Sequence, residues 1–451
     1  MAKLRMIGLL LLLFIPCLGN ALLAQTPVKP LALDYDIYSF NIQLDSYVIK
    51  PKYTPYQLRI DISYLPENAN QSNLPVIYVT DGQWRRMDHK YIHYLTRKNL
   101  IPPVIVAGIG YTEADDAGQV RYTDLVIQPE HFRTELQNEI IPLVEGKHRI
   151  DPKRRVLFGS SAGGHFVVYS FLQQALQSGT TFYGFIGGSP YLPKQSPVLP
   201  MANELTAHER TLANRLYLAY GAKESYRDFQ APNNQLFQTL ATPNLKRLDF
   251  WHHSYADADH FDVTRLALID GLRLLLGNVT APEIGAVDLK YQSYHYDFTT
   301  TTQFYDWQTN FYDQNALAPG PDSSPAPGTQ CFKVTADFSR YSRLQFETSS
   351  VFFAGLADKD ISLRVYIPPA LAKLRYSLKF LIYSSFDLNW ITDTSAAFPL
   401  RQSGWNTFHY KWRGQRIAGN IDCIRGFGVA IDKRDKAPAW KGDLYFDDVK
   451  W

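Results

Sequence analysis

The sequence predicts a three-layer α/β domain followed by an all-β sandwich domain, and three observations carry that expectation. From about residue 30 to 278, short β-like apolar runs alternate with segments of helical periodicity, the pattern of a parallel sheet with helices on both faces. After Gly277 the helical pattern stops, and runs such as QCFKVTADF, ISLRVYIP, YSLKFLIYSS, WNTFHYKW and DLYFDDVKW alternate at period two. A chain of 451 residues with 45% apolar and 20% charged content is that of a globular protein too long for one ordinary core.

Met-Ala-Lys-Leu-Arg precedes an apolar run from Met6 to Cys17 and then Leu-Gly-Asn-Ala-Leu-Leu-Ala-Gln, the three regions of a secretory signal. Residues 1–24 are therefore expected to be a signal peptide cleaved near Ala21 or Ala24, leaving a secreted or periplasmic protein. The run is shorter than the roughly 20 residues of a permanent span, so no stable membrane span is expected. In the α/β domain, residues 30–278, strands are predicted at Leu58 to Leu65, Pro75 to Thr80, Val104 to Ile109, Val156 to Phe158, Phe185 to Gly188, Leu216 to Tyr220 and Leu248 to Trp251. Helices are predicted over Phe132 to Val144, Gly164 to Leu176 and Phe261 to Leu275. The aromatic, β-forming stretch YDFTTTTQFYDWQTNFY opens the sandwich, so the linker falls at 279–292, the β domain at 293–451, and the Pro-rich residues 316–330 form a loop.

Net charge is +3 with no basic block, which excludes nucleic acid and an anionic membrane as partners. After cleavage two cysteines remain, Cys331 and Cys423, open to a disulfide or to separate burial, and neither has metal-site spacing. Aromatic residues make up 14% of the chain, which suggests exposed stacking surfaces of the kind sugars use.

The chemistry centres on Gly159-Ser160-Ser161-Ala162-Gly163, between an apolar run and a helical pattern. Only Ser161 fits the G-x-S-x-G frame of a strand-to-helix nucleophile elbow, since centring on Ser160 would require glycine at Phe158 and Ala162. The Ala162 amide, at the start of the helix, is the first candidate oxyanion donor. Serine needs a base, and the last histidine of the domain is His260, in a polar loop before the final helix; His252 and His253 are its rivals, and His165 reads as a packed residue. The acid belongs after a strand between the two, which selects Glu224 over Asp228, Asp257 and Asp259. The loop after Val76 to Thr80 offers the Gln83 amide as second oxyanion donor.

With these residues in place, YVTDGQ, VIVAGIGY followed by RYTDL, EIIPLVEGKHRIDPKRRVLFGSSAGG, GGSPYL, YGAKE and DADHFDV occur in an order that resembles the esterase D-like family of α/β-hydrolases, over most of residues 45 to 276. That resemblance implies an α/β-hydrolase fold, Ser161 as nucleophile, His260 as base, Glu224 as acid and no cofactor for catalysis; Arg121 and Asp124 match the family's R-x-x-D pattern. With Tyr-Asp-Phe near its start, Asp337-Phe338-Ser339 in its middle, Gly404-Trp405 before a strand and a closing Leu-Tyr-Phe-Asp-Asp-Val, the C-terminal domain resembles a jelly-roll carbohydrate-binding module of the galactose-binding-like fold, which implies a structural calcium with Asp297 and Asp447 as its nominated ligands. Trp390 and Trp405 are open to stacking on sugar rings or to filling the core, with core filling the favoured reading of each. The expectation is thus an exported serine esterase removing acetyl or feruloyl groups from carbohydrate, tethered to polysaccharide by an independent C-terminal domain. Two alternatives stand beside it: a siderophore esterase of the enterochelin type, and a glycan-binding protein with an inactive hydrolase domain.

Overall fold

The computed structural model describes residues 35–112, 117–277, 295–311, 314–321, 330–348, 360–386, 389–413 and 424–451. The expected signal peptide, the linker at 279–292, Cys423 and the Trp390 side chain lie outside the described residues.

The first half is built on an eight-stranded sheet. Its strands are β1 (Gln43–Ile49), β2 (Leu58–Tyr64), β3 (Leu74–Thr80), β4 (Ile105–Tyr111), β5 (Ile150–Ser160), β6 (Gly184–Gly188), β7 (Arg215–Gly221) and β8 (Asp249–Tyr255). They lie in the order β1-β2-β4-β3-β5-β6-β7-β8, with β1, β2 and β4 paired antiparallel and the rest parallel. Strands β3 and β4 are buried at every position, as the near-continuous apolar sequences LPVIYVT and IVAGIGY require of strands covered on both faces. Edge strand β1 instead alternates between exposed and half-buried residues, and no predicted strand anticipated it. Helices α1 (Arg86–Arg97), α2 (Ala162–Leu176) and α3 (His260–Leu276) bear most on the site. The predicted helix over Phe132 to Val144 is a longer one, Pro129 to Lys147, with a π-type turn over Leu136–Ile140.

The second half consists chiefly of two antiparallel sheets. One runs Asn315–Pro319, Gln330–Asp337, Lys441–Lys450, Asp360–Ile367, Gly404–Lys411; the other runs Gln308–Thr309, Arg343–Thr348, Ile424–Lys433, Tyr376–Phe386, Asn389–Thr394. Aromatic residues fill the space between them: Trp307 stacks on Phe346 at 4.4 Å between ring centres, and Phe346 on Phe446 at 4.1 Å. Much of the aromatic content therefore forms core rather than the exposed stacking surface expected of it. Trp405 departs from its expected core place: it is half-buried, with Arg364 over its ring and its indole N–H donating to the Pro321 carbonyl. Cys331 is buried. No helix among the described residues is long and apolar enough to cross a membrane.

The two halves do not stand apart. A single apolar cluster runs from Val156, Phe158 and Ile186 of the first sheet through Tyr296 and Trp307 to Phe446 and Val449. The short helix α4 (Thr301–Tyr305) lies against α1 and against the segment before β1. Thr300 and Thr302 donate their hydroxyls to the carbonyls of Tyr38 and Phe40 at 2.6 and 3.0 Å, and the Ile42 amide donates to the Thr301 hydroxyl at 2.6 Å. At the centre of the junction Lys90 of α1 forms an ion pair with Asp306, both side chains fully buried. Its ammonium lies 4.5 Å from the Tyr38 ring centre and 4.8 Å from that of Tyr91, and the Tyr296 hydroxyl donates to the second Asp306 oxygen at 2.9 Å. An independent tether, the role expected of the C-terminal domain, would share no such core and no such charge pair.

Removing one partner of a buried ion pair strands the other, so Lys90→Met or Asp306→Asn alone should cost about 3–5 kcal/mol, whereas Lys90→Met with Asp306→Leu should cost much less than the sum. Denaturant unfolding of the four proteins checks this, and strictly additive losses would contradict it.

Candidate active site

Strand β5 ends at Ser160 and α2 begins at Ala162, so Ser161 is the one residue of the turn between them. It takes φ 60° and ψ −118°, a conformation that a residue with a Cβ holds only when its surroundings impose it. They do so here: its N–H donates to the Gly188 carbonyl at 2.9 Å, and its carbonyl accepts from the amides of His165 and Tyr191 at 2.9 and 3.0 Å. A Cβ on Gly159 would strike the Gly163 carbonyl, and one on Gly163 would strike the Thr80 side chain. The flanking glycines are thus a steric requirement of the elbow. Ser160 remains in strand backbone, and its buried hydroxyl pairs with that of Thr264 at 2.7 Å.

His260 is the first residue of α3, a helix started by a capping box in which Asp259 and Asp262 satisfy each other's backbone amides. Its Nδ1 lies 2.5 Å from Glu224 Oε1. Opposite a carboxylate that nitrogen carries the proton and donates, leaving Nε2 as the basic nitrogen of the ring. Glu224 follows β7 and is itself held, its other oxygen accepting from the Ser189 hydroxyl at 2.7 Å and the Gly221 amide at 2.6 Å. The Phe229 ring packs 4.4 Å from the imidazole. The rival acids are engaged elsewhere: Asp259 in the cap, Asp228 with Ser225, and Asp257 in an exposed pair with Lys223. His252 packs on Phe237 and His253 on Tyr255, and burial lowers the pKa of both. His165 is fully buried between the Leu125 carbonyl and the Ser196 hydroxyl, and burial pushes its pKa down to about 4.

Ser161 and His260 line one cavity of about 600 Å³. Ala162 opens α2, where the first amides of a helix have no acceptor within it. The turn after β3 lies over this helix start, with Asp81 in the left-handed region at φ 61° and its carboxylate 3.1 Å from where a Cβ on Gly163 would stand. Trp84 of that turn faces the cavity; Gln83 is buried next to it, its side-chain oxygen accepting from the Tyr111 amide at 3.2 Å. What the sequence left without a role is Arg121, whose guanidinium grips both Asp81 oxygens, at 2.5 and 2.9 Å, and lies over the Trp84 ring. Asp124, the other half of the R-x-x-D pattern, accepts from the Tyr111 hydroxyl at 3.0 Å. The pattern therefore fixes the turn beside the elbow.

The nominated calcium ligands lie in the second half, near enough for Asp297 to contribute to the raised pKa of Asp447, which burial first of all pushes up to about 6. Among the described residues no group of three or more His, Cys, Asp or Glu side chains is gathered as a metal site.

Asp88, on the first turn of α1, also faces the cavity. It is wholly buried and neither carboxylate oxygen has a hydrogen-bond partner among the described residues. Burial raises its pKa from 3.8 to about 6, against the pull of Arg85 and Arg265. A carboxylate whose folded pKa is raised contributes most stability below about pH 4 and loses it as pH rises through about 6, so a non-titrating Asp88→Asn protein should gain on the wild type by about 3 kcal/mol between those limits. Denaturant unfolding at pH 4 and pH 8 measures this, and an equal difference at both would contradict it.

A strained serine elbow at the end of a central parallel strand, a histidine held by a buried carboxylate and one cavity common to serine and histidine define a serine hydrolase of the three-layer α/β type. The model of the family described as "Putative esterase" matches residues 57–316, and the chain belongs to that family: it is a serine carboxylic ester hydrolase. It is 25% identical over 205 residues to the ferri-bacillibactin esterase BesA of Bacillus subtilis, covering 40% of this chain and 69% of that protein. It is 34% identical over 146 residues to the apo-salmochelin esterase of Escherichia coli, covering 28% of this chain and 43% of that protein. Among solved structures, the BES protein from Bacillus cereus superposes with a TM-score of 0.45 at 24% identity, covering 52% of this chain and 96% of that one. Both curated relatives are esterases of siderophores by name, and neither is a carbohydrate deacylase, which overturns the expectation of an acetyl or feruloyl carbohydrate esterase.

Proposed function

We propose that this protein hydrolyses the ester bonds of a siderophore, the alternative that the sequence had placed second. The Glu224–His260 pair, whose histidine lines the cavity that holds the Ser161 elbow, is the observation that carries ester hydrolysis. The names of the two curated relatives support the substrate class. Trp84, Arg85, Arg121 and Arg265 line the cavity, a surface suited to acidic aromatic acyl groups through stacking and cationic contacts. The C-terminal strand order, in which successive strands cross between two antiparallel sheets, supports reading that half as a jelly roll. The apolar run from Met6 to Cys17 supports an exported location.

In this reading Ser161 Oγ attacks the ester carbonyl while His260 Nε2 takes its proton. The carbonyl oxygen becomes an oxyanion facing the Ala162 amide, with the Gln83 amide as the second proposed donor. Collapse of the tetrahedral intermediate breaks the bond to the leaving alcohol, which receives the proton from His260. Water, deprotonated by the same nitrogen, then attacks the acyl-serine, and collapse of this second intermediate breaks the bond to Ser161 Oγ, which takes the proton back from His260 as the acid leaves. Glu224 keeps the ring in the tautomer with Nδ1–H and stabilises its charged form throughout. No cofactor enters any step.

The test is chromatographic assay of cyclic catecholate triesters beside acetylated and feruloylated glycans. Wild type should open the triester and Ser161→Ala should lose several orders of magnitude in turnover, while Ser160→Ala, outside the elbow, should retain substantial activity. Turnover of the glycans alone would defeat the substrate class, and equal losses at the two serines would defeat the nucleophile.

A further inference from the structure

The cavity that holds Ser161 and His260 has two owners. On one side stand Trp84, Arg85, Asp88 and Arg265 of the α/β half; on the other stand Gln345, Glu347, Tyr383 and Thr392 of the β half. On strand Arg343–Thr348 the alternation is regular: Leu344, Phe346 and Thr348 are buried inward, which turns Gln345 and Glu347 to the opposite face. Tyr383 stands two strands away, across Ile424–Lys433, and still reaches Glu347, its hydroxyl donating to Oε2 at 2.5 Å. Gly428, the residue opposite Glu347 on the strand between them, makes this crossing possible, because a Cβ there would come within 2.8 Å of the Glu347 Cβ. The Gln345 amide donates to the Tyr383 hydroxyl at 3.4 Å.

A desolvated carboxylate is costly unless donors meet its oxygens, and here the Tyr383 hydroxyl and the Gln308 side chain, both also on the cavity, supply them, so the wall presents a preorganised hydrogen-bonded cluster of polar side chains to whatever fills the cavity. Burial does raise the pKa of Glu347, as that placement requires.

We propose that the β half is the specificity wall of the esterase site, with Gln345, Glu347 and Tyr383 binding a hydroxyl- or amide-bearing part of the ester remote from its reacting carbonyl. This rests on the reading of the cavity as the ester site. It assigns the second half to substrate selection at the cavity itself. A small ester fills only the space around Ser161 and makes little use of the wall; a large one spans the cavity and needs it. Thr392 is exposed at the rim, so a bulky side chain there narrows the cavity with little effect on the core.

The experiment compares kcat and KM for a chromogenic acetate with those for a bulky ester in the full-length protein, the bulky ester being whichever of a cyclic catecholate triester and a feruloyl ester the wild type turns over. Glu347→Gln and Tyr383→Phe should each lower the ratio of bulky to small kcat/KM about tenfold, mainly through KM. Thr392→Trp should lower it at least as much. Lys441→Ala, an exposed change elsewhere on the β half, should leave the ratio as in wild type. Rejection of the triester with the ratio still falling on the feruloyl ester would defeat the siderophore reading and keep the wall. An unchanged ratio in all three wall variants, or proportional losses on both esters, would overturn the wall itself.

Discussion

The arrangement of this protein depends on one buried charge pair, Lys90 with Asp306, at the junction of its two halves. Two ions taken out of water are held there only because each meets the other, the ammonium also lies against the Tyr38 and Tyr91 rings, and the Tyr296 hydroxyl satisfies the remaining carboxylate oxygen. Such a pair tolerates little displacement, since sliding the halves would strand both charges. The same helix that supplies Lys90 begins, one turn earlier, with Met87 and Asp88 on the cavity. Where α1 docks on the second half therefore sets how far the β wall stands from Ser161.

Within the first half, strain and its support lie close together. Ser161 and Asp81 both occupy positive-φ backbone, one at the elbow and one in the turn above it. Each is held by its neighbours: Ser161 by Gly188, His165 and Tyr191, and Asp81 by the two-pronged grip of Arg121 on its carboxylate. A site that must present amides to a developing oxyanion gains from backbone fixed before substrate arrives. Glu224 follows the same logic, since two donors, the Ser189 hydroxyl and the Gly221 amide, fix the carboxylate that orients His260.

Local signals made much of this readable in the sequence. The apolar runs marked the central strands, the glycines around Ser161 marked the elbow, and chain order pointed to His260 and Glu224, which the structure joins by a hydrogen bond. Helix α1 was not readable, because Arg86, His89, Lys90 and His93 look like a solvated face and are instead buried. His89 and His93 share the Ser63 hydroxyl, and burial lowers their pKa values to about 4 and about 3. Contacts distant in sequence account for that burial, from Asp61 and Ser63 on β2 to Asp306, 216 residues from Lys90. The wall was hidden for the same reason: Glu347 and Tyr383 lie far from the elbow in sequence, and their spacing resembles ordinary strand alternation. Aromatic content pointed to sugars because composition does not tell a stacking surface from a core.

The central claim is that the Glu224–His260 pair activates Ser161 as a nucleophile. Reaction with a fluorophosphonate, followed by peptide mapping by mass spectrometry, tests it most directly, because the reagent reports the activated hydroxyl whatever the natural substrate is. The account predicts a single adduct on Ser161, formed far more slowly when His260 is replaced by alanine. An adduct on Ser160, or labelling of Ser161 at an undiminished rate without His260, would contradict it.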